Sequence, residues 1–406
     1  MSLTLAPTAA ETAYQGFALP HRRQEDWRWT DLRQLLDQAY PPTNGTKASA
    51  AEIDRLIATD ALAPFARARL VFVDGAFDKA RSKLPATGAI TLEHLTHGAP
   101  PSSARGAYDD PLANLNDRFC RESLRLTVKA GTAEDAPIAL VFVSTGHEAV
   151  TTCTRAQIIV EKGASATLLE THIGGAGAYV ASSLIEASIG DDARLDRVKI
   201  AEDGQAAIHL ASFHVKLGTQ SSLNDFTLTQ GAKATRQQTF ATFTGQHSNI
   251  KVAGAYLLNG KQHADTKITV DHAVPHCTSR ELFKCVMDDQ ARGIFQGKVV
   301  VRKDAQKTDG KQSSNALLLS ETAEFDAKPE LEIFADDVVC GHGATSGSLN
   351  DDYLFYLRAR GIPEDEAKSL LIAAFASEAF DEVAHEAVRE ALGELTQGWL
   401  INRKPA

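Results

Sequence analysis

Hydrophobic and polar residues alternate along the middle of the chain, from about residue 137 onward, in short runs that end near glycines. In the runs 185–189 and 213–217, every second residue is apolar. Alternation with a period of two is typical of a β-strand that buries one face. No helical periodicity separates these runs, so the connecting helices of a Rossmann-like sheet are not expected. This part of the chain is therefore predicted to consist of consecutive strands.

The strand pattern repeats, and glycines mark the repeat. Gly163, Gly190, Gly218 and Gly245 are 27, 28 and 27 residues apart, and each is followed five residues later by an aliphatic residue: Leu168, Leu195, Leu223 and Ile250. Such a period indicates a solenoid, in which each coil stacks on the next to bury its apolar face. Glycine permits the tight corner. We predict a parallel β-helix, with an up-and-down β-sandwich as the alternative. Further strand-like runs follow: Glu281–Met287, Gly297–Val301, Ala316–Leu319 and Leu331–Phe334.

The sequence pattern at both ends of the chain differs from the strand pattern of the middle. Residues 1–105 are predicted to be mostly helical, with Trp27 and Trp29 anchoring this region on the rest and a short buried strand at Leu70–Val73. The β-helix core is predicted to span residues 106–346, and residues 347–406 are predicted to form three helices.

The second and third C-terminal helices carry the apolar residues of that region. The second begins near Pro363, and the third covers roughly 382–395. At least one C-terminal helix is expected to cap the end of the solenoid, because a solenoid needs a closed end. The residues predicted to form the apolar stripe of the second helix are Ala367, Leu370, Leu371, Ala374 and Phe375.

Composition and charge exclude several classes of protein. The chain has 406 residues and a formal net charge of −10, which argues against a broad electrostatic grip on nucleic acid. No apolar run approaches the ~18 residues of a membrane span. The five cysteines are scattered without a CxxC pair, which favours free thiols and a cytoplasmic location. The chain has no phosphate loop, GxSxG or HExxH motif.

Two groups of histidines and cysteines could hold a metal. His272, His276 and Cys277 are weak candidates, because histidines at a solenoid corner more often bond to neighbouring backbone. Cys340 and His342 are two residues apart, so on an extended strand they share one side at a separation of ~6–7 Å. Two ligands cannot fill a metal shell, so the others would come from elsewhere, such as another subunit. A buried cysteine beside a turn histidine is an equally good reading of these two residues.

Several blocks of sequence resemble one known family. The blocks occur in this order: Ala305–Gly310, Asn315–Ser320, Pro329–Ile333, Cys340–Thr345 and Tyr356–Ile362. Together they resemble the SufB/SufD family, the scaffold proteins of the SUF system of iron–sulfur cluster assembly. The chain is more similar to the SufD branch, because it carries the N-terminal block Glu25–Thr30, lacks a cysteine in Leu317–Lys328 and has Gly343 where SufB has a glutamate.

The resemblance implies a right-handed parallel β-helix with helical ends and a role as a non-catalytic scaffold subunit. It implies pairing with SufB through the β-helix and binding of SufC, an ABC-type ATPase, through the C-terminal helices. Iron or an iron–sulfur cluster would be held only transiently, with no permanent cofactor, and the isolated chain is expected to be able to form a homodimer. The residues expected to contact SufC are Tyr353, Tyr356, Arg360 and Pro363.

By the same resemblance, His342 corresponds to the SufD histidine that faces SufB, and Cys340 is the second candidate ligand. The alternative function is a cytoplasmic β-solenoid enzyme that acts on polysaccharide. Such enzymes use carboxylates placed together at the scissile bond. The candidates for that role, Asp265, Asp271 and Glu281, are scattered along the sequence.

Overall fold

The structure, a computed structural model, describes residues 7–83, 88–96, 100–106, 108–133 and 136–403. Within these ranges no helix is long and apolar enough to cross a membrane. The helices are α1 (Ala9–Ala13), α2 (Leu32–Leu35), α3 (Ala50–Ile57), α4 (Pro111–Phe119), α5 (Asp351–Ala359), α6 (Glu364–Phe380) and α7 (Glu386–Asn402). The strands are β1 (Ala68–Val73), β2 (Ala76–Phe77), β3 (Ile90–Thr96), β4 (Glu122–Val128), β5 (Ile138–Ser144), β6 (Thr151–Val160), β7 (Ser165–Gly174), β8 (Val180–Ile189), β9 (Arg194–Glu202), β10 (Ile208–Leu217), β11 (Ser222–Thr229), β12 (Ala234–Phe243), β13 (Asn249–Leu258), β14 (His263–His272), β15 (Thr278–Met287), β16 (Arg292–Val301), β17 (Asp309–Leu318), β18 (Glu324–Ile333) and β19 (Val339–Gly347).

Alternate strands belong to two sheets. Among the described residues, the odd-numbered strands β5 to β19 join β1 and β2 in a ten-stranded sheet, and the even-numbered strands β4 to β18 join β3 in a nine-stranded sheet. Neighbours pair in parallel except at the N-terminal end, where β1–β2 and β3–β4 are antiparallel. Parallel neighbours need a crossover between them, and here that crossover is a strand of the other sheet. The predicted parallel β-helix is therefore confirmed, and the sandwich is excluded.

Side chains alternate between the inside and the outside of the coil. In β9, Leu195 belongs to the apolar cluster that fills the space between the two sheets, whereas Val198 and Ile200 belong to a second cluster shared with the C-terminal helices. This is the period of two that the sequence shows. Turn lengths vary: Ile208 pairs with Ala234, 26 residues on, and Arg292 pairs with Glu324, 32 residues on.

Three of the four glycines that mark the sequence repeat, Gly190, Gly218 and Gly245, stack on successive turns of the solenoid. A Cβ on Gly218 would lie 2.9 Å from the carbonyl carbon of Gly190, and one on Gly245 would lie 2.1 Å from the nitrogen of Thr219. Successive corners thus stack so closely that no side chain fits between them. Gly163 is offset from this column, so Leu195 pairs with Ala166 and not with Leu168 as the spacing predicted. Gly163 has a φ of 65° and serves its turn through its backbone conformation instead.

The N-terminal segment packs on the outer face of the nine-stranded sheet. Trp27 is buried there, and the guanidinium of Arg236 lies 4.6 Å from the centre of its ring, which confirms the predicted anchor. The region 1–105 is less helical than predicted, however. Its helices are short, and β1 pairs with β5 while β3 pairs with β4, so the two sheets begin well before residue 106.

The C-terminal helices pack along the side of the solenoid and leave its end open. α6 contacts β13 and β15 on the outer face of the ten-stranded sheet, so the expectation that a helix caps the end is wrong. The predicted stripe is right only in part: Ala367 is buried and Phe375 packs against the buried cluster, but Leu370 is 44% exposed and Ala374 is exposed. α6 is apolar on several sides, and periodicity alone did not select the buried one. The residues it buries are Ala367, Ile372, Ala376, Ala379 and Phe380.

Candidate functional site

The last strand of the ten-stranded sheet carries Cys340 and His342. β19 pairs with β17, which places Cys340 opposite Gly310 and His342 opposite Gln312. Residues two apart on a strand share a face, so the two side chains lie on the side that faces the interior of the coil in the preceding turns. Among the described residues, β19 has no second neighbour in its sheet. The pair therefore lies at the open end of the solenoid.

The two side chains differ in exposure. His342 is exposed, whereas Cys340 is half-buried and packs against the interior apolar cluster. A Cβ on Gly310 would lie 3.6 Å from the Cys340 sulfur, an ordinary contact distance, so the thiol lies directly against the preceding turn. Burial raises the pKa of the Cys340 thiol, which favours the protonated form until a cation binds. The imidazole is thus the more accessible donor of the two.

A column of polar side chains continues from His342 into the coil. Gln312 lies directly beneath His342 and Glu281 beneath Gln312, on successive strands of one sheet. Both are buried, and Gln312 Oε1 and Glu281 Oε2 have no hydrogen-bond partner among the described residues. A Cβ on Gly297 would lie 2.9 Å from Gln312 Oε1 and 3.0 Å from Glu281 Oε2, so the glycine preserves this space. Burial raises the pKa of Glu281 well above its ordinary value.

Sequence reasoning missed this column. The signal was available in principle, because Glu281, Gln312 and His342 are spaced by 31 and 30 residues, about one turn each. Assigning them to one column needs the register of the last turns, where the glycine-marked repeat no longer holds.

The structure separates the second group of predicted ligands. His272 Nε2 lies 2.9 Å from the Ser279 hydroxyl, and burial lowers the pKa of His272 to about 4. His276 is exposed and stacks on His247, with 4.8 Å between ring centres. The Cys277 thiol is buried 3.4 Å from the Gly245 carbonyl oxygen. Each side chain thus has a partner of its own, and none of the three belongs to the cluster of donors that the described residues do bring together.

The carboxylates considered for a polysaccharide enzyme are not placed together, because Asp265 and Asp271 are six residues apart on one strand, about 20 Å at ~3.3 Å per residue. Asp265 and Asp271 lie on the outer side of β14, where Arg236 and Arg302 each approach a carboxylate to 2.5 Å. Glu281 points into the coil, on the other sheet. A pair of carboxylates at one scissile bond is therefore not formed by these residues.

Exposed aromatic residues cover the helix that follows β19. α5 buries none of its side chains, and Tyr353, Phe355 and Tyr356 are 64%, 74% and 55% exposed. The guanidinium of Arg360 lies 4.6 Å from the ring centre of Tyr356, and Pro363 caps the start of α6. Contiguous exposed apolar groups mark interaction surfaces in soluble proteins. Three of the four residues predicted to contact SufC thus lie on or immediately after α5, and Pro363 begins the next helix.

The last turn also exposes apolar residues beside the candidate ligands. Ile333 and Phe334, at the end of β18, are 42% and 64% exposed, and Val339, at the start of β19, is 63% exposed. An unpaired strand edge presents backbone groups that another chain can pair with. These features define a class of protein: a parallel β-helix with an open end that carries donor atoms and is flanked by an exposed aromatic helix.

Comparison with known proteins gives the family within that class. Residues 142–375 match the family described as SUF system FeS cluster assembly, SufBD core domain. This chain belongs to the SufBD family of iron–sulfur cluster assembly proteins, and it is SufD-like. It is 28% identical to the iron–sulfur cluster assembly protein SufD of Escherichia coli over 92% of this chain and 87% of that protein.

Two further relatives come from photosynthetic organisms. An iron–sulfur cluster assembly SufBD family protein of Synechocystis is 30% identical over 90% of this chain and 84% of its own length. The chloroplastic protein ABCI7 of Arabidopsis thaliana is 26% identical over 94% of this chain and 82% of its own length. The similarity therefore extends over nearly the whole chain.

Proposed function

We propose that this chain is a scaffold subunit that pairs with a SufB-type partner at the open end of its β-helix and supplies His342 as a ligand to iron or a nascent cluster. The observation that carries the proposal is the position of His342, exposed on a terminal strand that has a free edge among the described residues. A neutral imidazole suits iron, and one histidine with one half-buried thiol leaves a metal shell incomplete. The remaining ligands would come from the partner.

The free edge of the last turn supports the pairing. β18 and β19 present unpaired backbone groups next to the exposed residues Ile333, Phe334 and Val339. A strand edge with apolar neighbours binds a second edge by backbone hydrogen bonds and by burial of those side chains. Without a SufB-type partner, the same edge is available to a second copy of this chain, which is the expected route to a homodimer.

The exposed aromatic face of α5 supports a second contact, with a SufC-type ATPase. Tyr353 and Tyr356 are rigid amphipathic side chains of the kind that is enriched in interface centres. α5 follows β19 after a short connection, so movement of α5 by a partner would be transmitted to the strand that carries His342. ATP hydrolysis in SufC would then rearrange the SufB interface.

The proposal is tested by co-expression of the tagged chain with SufB and SufC, anaerobic purification and ultraviolet–visible spectroscopy. We expect a stable complex that binds iron and sulfide, and loss of that absorbance with His342→Ala. His247→Ala is the matched control, because His247 is also exposed but lies at a corner of the solenoid. Unchanged iron and sulfide in the His342→Ala complex would refute the ligand role.

The partner surfaces are tested separately in the same complexes. Tyr356→Asp should release SufC while SufB remains bound, because it places a charge in the aromatic face of α5. The control Ile401→Asp changes another exposed apolar residue, on α7, which is 80% exposed against 55% for Tyr356. Equal loss of SufC from both variants would argue against α5 as the contact.

A further inference from the structure

A group of charged and polar side chains is enclosed inside the solenoid, far from its open end. The group occupies the space between β7, β9, β10 and β11, and every member is at most 4% exposed. In the ten-stranded sheet, β11, β9 and β7 lie four to six strand spacings from β19. At ~4.8 Å per spacing, the group is therefore about 20–30 Å from His342. Its members are Glu170, His172, Tyr179, Arg197, Lys199, Asp203, His209 and Asp225.

Three of these side chains bring metal-binding atoms together. His172, Asp203 and His209 each offer one donor atom, and the three atoms lie within 4.8 Å of one another. A first-row metal with bonds of ~2.1 Å needs donors about 3.0–3.4 Å apart, so small side-chain rotations close the site. Two imidazoles and one carboxylate are a common donor set for iron and zinc.

Two of the donor atoms lack a hydrogen bond. His209 Nδ1 lies 2.9 Å from Asp203 Oδ2, but the N–H direction does not fit a hydrogen bond, and neither atom has such a partner among the described residues. Both residues are at most 3% exposed. Buried polar atoms without a partner are costly. A bound cation between them would remove that cost.

We propose that His172, Asp203 and His209 bind one divalent transition-metal ion inside the solenoid. This site is separate from the proposed role of His342 at the open end. No sequence motif indicates it, because its donors come from β7, from the turn after β9 and from β10.

The surrounding groups orient the donors. His172 Nε2 lies 2.6 Å from Glu170 Oε1, and the Tyr179 hydroxyl donates to Asp203 Oδ1 at 3.0 Å. Such partners fix the tautomer and direction of metal ligands. Burial lowers the pKa of His209 to about 3, so its imidazole is neutral, as a ligand requires.

The charge of the group also favours a divalent cation. Glu170, Asp203 and Asp225 face two cations, Arg197 and Lys199, so the group carries one net negative charge while both imidazoles are neutral. A divalent ion that binds to the neutral imidazoles therefore meets one negative charge in excess. A buried charge without a counter-charge is costly, so this excess offsets part of the cost of burying the ion.

Asp203 also borders a cavity. The cavity, of about 730 Å³, lies between the turn that follows β9 and the C-terminal half of α7, and Glu202 and Glu394 line it too. Asp203 itself is only 3% exposed, so entry of an ion requires movement of this turn.

The test is anaerobic titration of the full chain with Co²⁺ after treatment with a chelator, followed by visible absorption. We expect one equivalent to bind with ligand-field bands of nitrogen and oxygen ligands. Asp203→Asn and His209→Gln should each raise the Kd at least about 100-fold, since loss of a direct ligand exceeds the 10–100-fold cost of a supporting one. Asp203→Asn keeps the side-chain size and the acceptor for Tyr179, so its fold is the more secure of the two.

His214→Gln is the matched control. His214 lies on β10 like His209, is equally buried and has a carboxylate partner, Asp110, at 2.8 Å, but it faces outward. We expect His214→Gln to bind Co²⁺ as the unchanged chain does. Binding that survives Asp203→Asn, or no stoichiometric binding by the unchanged chain, would overturn the proposal, and circular dichroism of each variant verifies its fold.

Discussion

Replacement of Arg197 by methionine should destabilise the protein more than any single surface change. Arg197 is 4% exposed and lies between two buried carboxylates, with contacts of 2.6 Å to Glu170 and 2.7 Å to Asp225. Its guanidinium also lies 4.4 Å from the ring centre of Phe213. Methionine fills most of the volume but leaves both carboxylates without their cation. Breaking a buried ion pair costs about 3–5 kcal/mol, which is a large part of the ~5–15 kcal/mol that stabilises a typical domain.

The effect is measured by urea unfolding followed by circular dichroism at pH 7.5. Arg280→Met is the matched control, because Arg280 pairs with Asp309 at 2.6 Å but both side chains are more than a third exposed. An exposed pair contributes at most about 1 kcal/mol. Adding Glu170→Gln and Asp225→Asn to Arg197→Met should restore part of the lost stability, since neither carboxylate then carries a buried charge, although Lys199 loses Glu170 at 3.8 Å. The reasoning fails if Arg197→Met costs no more than Arg280→Met.

The pH dependence has a definite sign. In the unchanged chain, burial alone would raise the pKa of Glu170, but the charges of Arg197 and Lys199 hold it well below its usual value. Glu170 therefore contributes stability above its unfolded pKa of ~4.3, and this contribution is lost as the pH falls toward its folded pKa. Without Arg197 that contribution disappears. The difference in the free energy of unfolding between the unchanged chain and Arg197→Met should be largest at neutral pH and smallest near pH 3.

The remaining predictions concern single positions and are measured by thermal unfolding. Glu281→Gln should raise the unfolding temperature at pH 8 but not at pH 4, because burial raises the pKa of Glu281 and the unchanged chain loses stability as the pH rises above the unfolded value of ~4.3. Trp27→Ala should cost about 3–5 kcal/mol, more than the half-buried control Trp29→Ala. Gly245→Ala should cost about 1–3 kcal/mol or more, because its Cβ meets backbone at 2.1 Å, whereas the control Gly343→Ala meets nothing within 4 Å.

The strands were predictable because a strand with one buried face leaves a local signal. Leu223 and Ile250 do pair as the repeat predicts, since they are 27 residues apart, as are the corner glycines Gly218 and Gly245. Leu168 does not pair with Leu195, because the first turn is two residues longer than the glycine spacing implies. The glycine spacing does not reveal these two extra residues, because Gly163 lies close to the position that the repeat predicts.

The candidate sites could be predicted from sequence only where their residues are close together in the chain. Cys340 and His342 could be found from sequence because both belong to one strand and one local motif. The donors His172, Asp203 and His209 meet only because the coil returns β10 to the space opposite β7, and the turn that follows β9 folds inward. Their contact depends on tertiary packing, which no local pattern encodes.

The open end of the β-helix has a consequence for the order of events at His342. Each turn of a solenoid is supported only by its neighbours, so the turn made by β18 and β19 is held from one side and should exchange its backbone amide hydrogens fastest. A chain that pairs with β19 would both slow this exchange and bring further ligands to the metal. Partner binding and metal capture would then be thermodynamically linked, and each would raise the affinity for the other by the same factor.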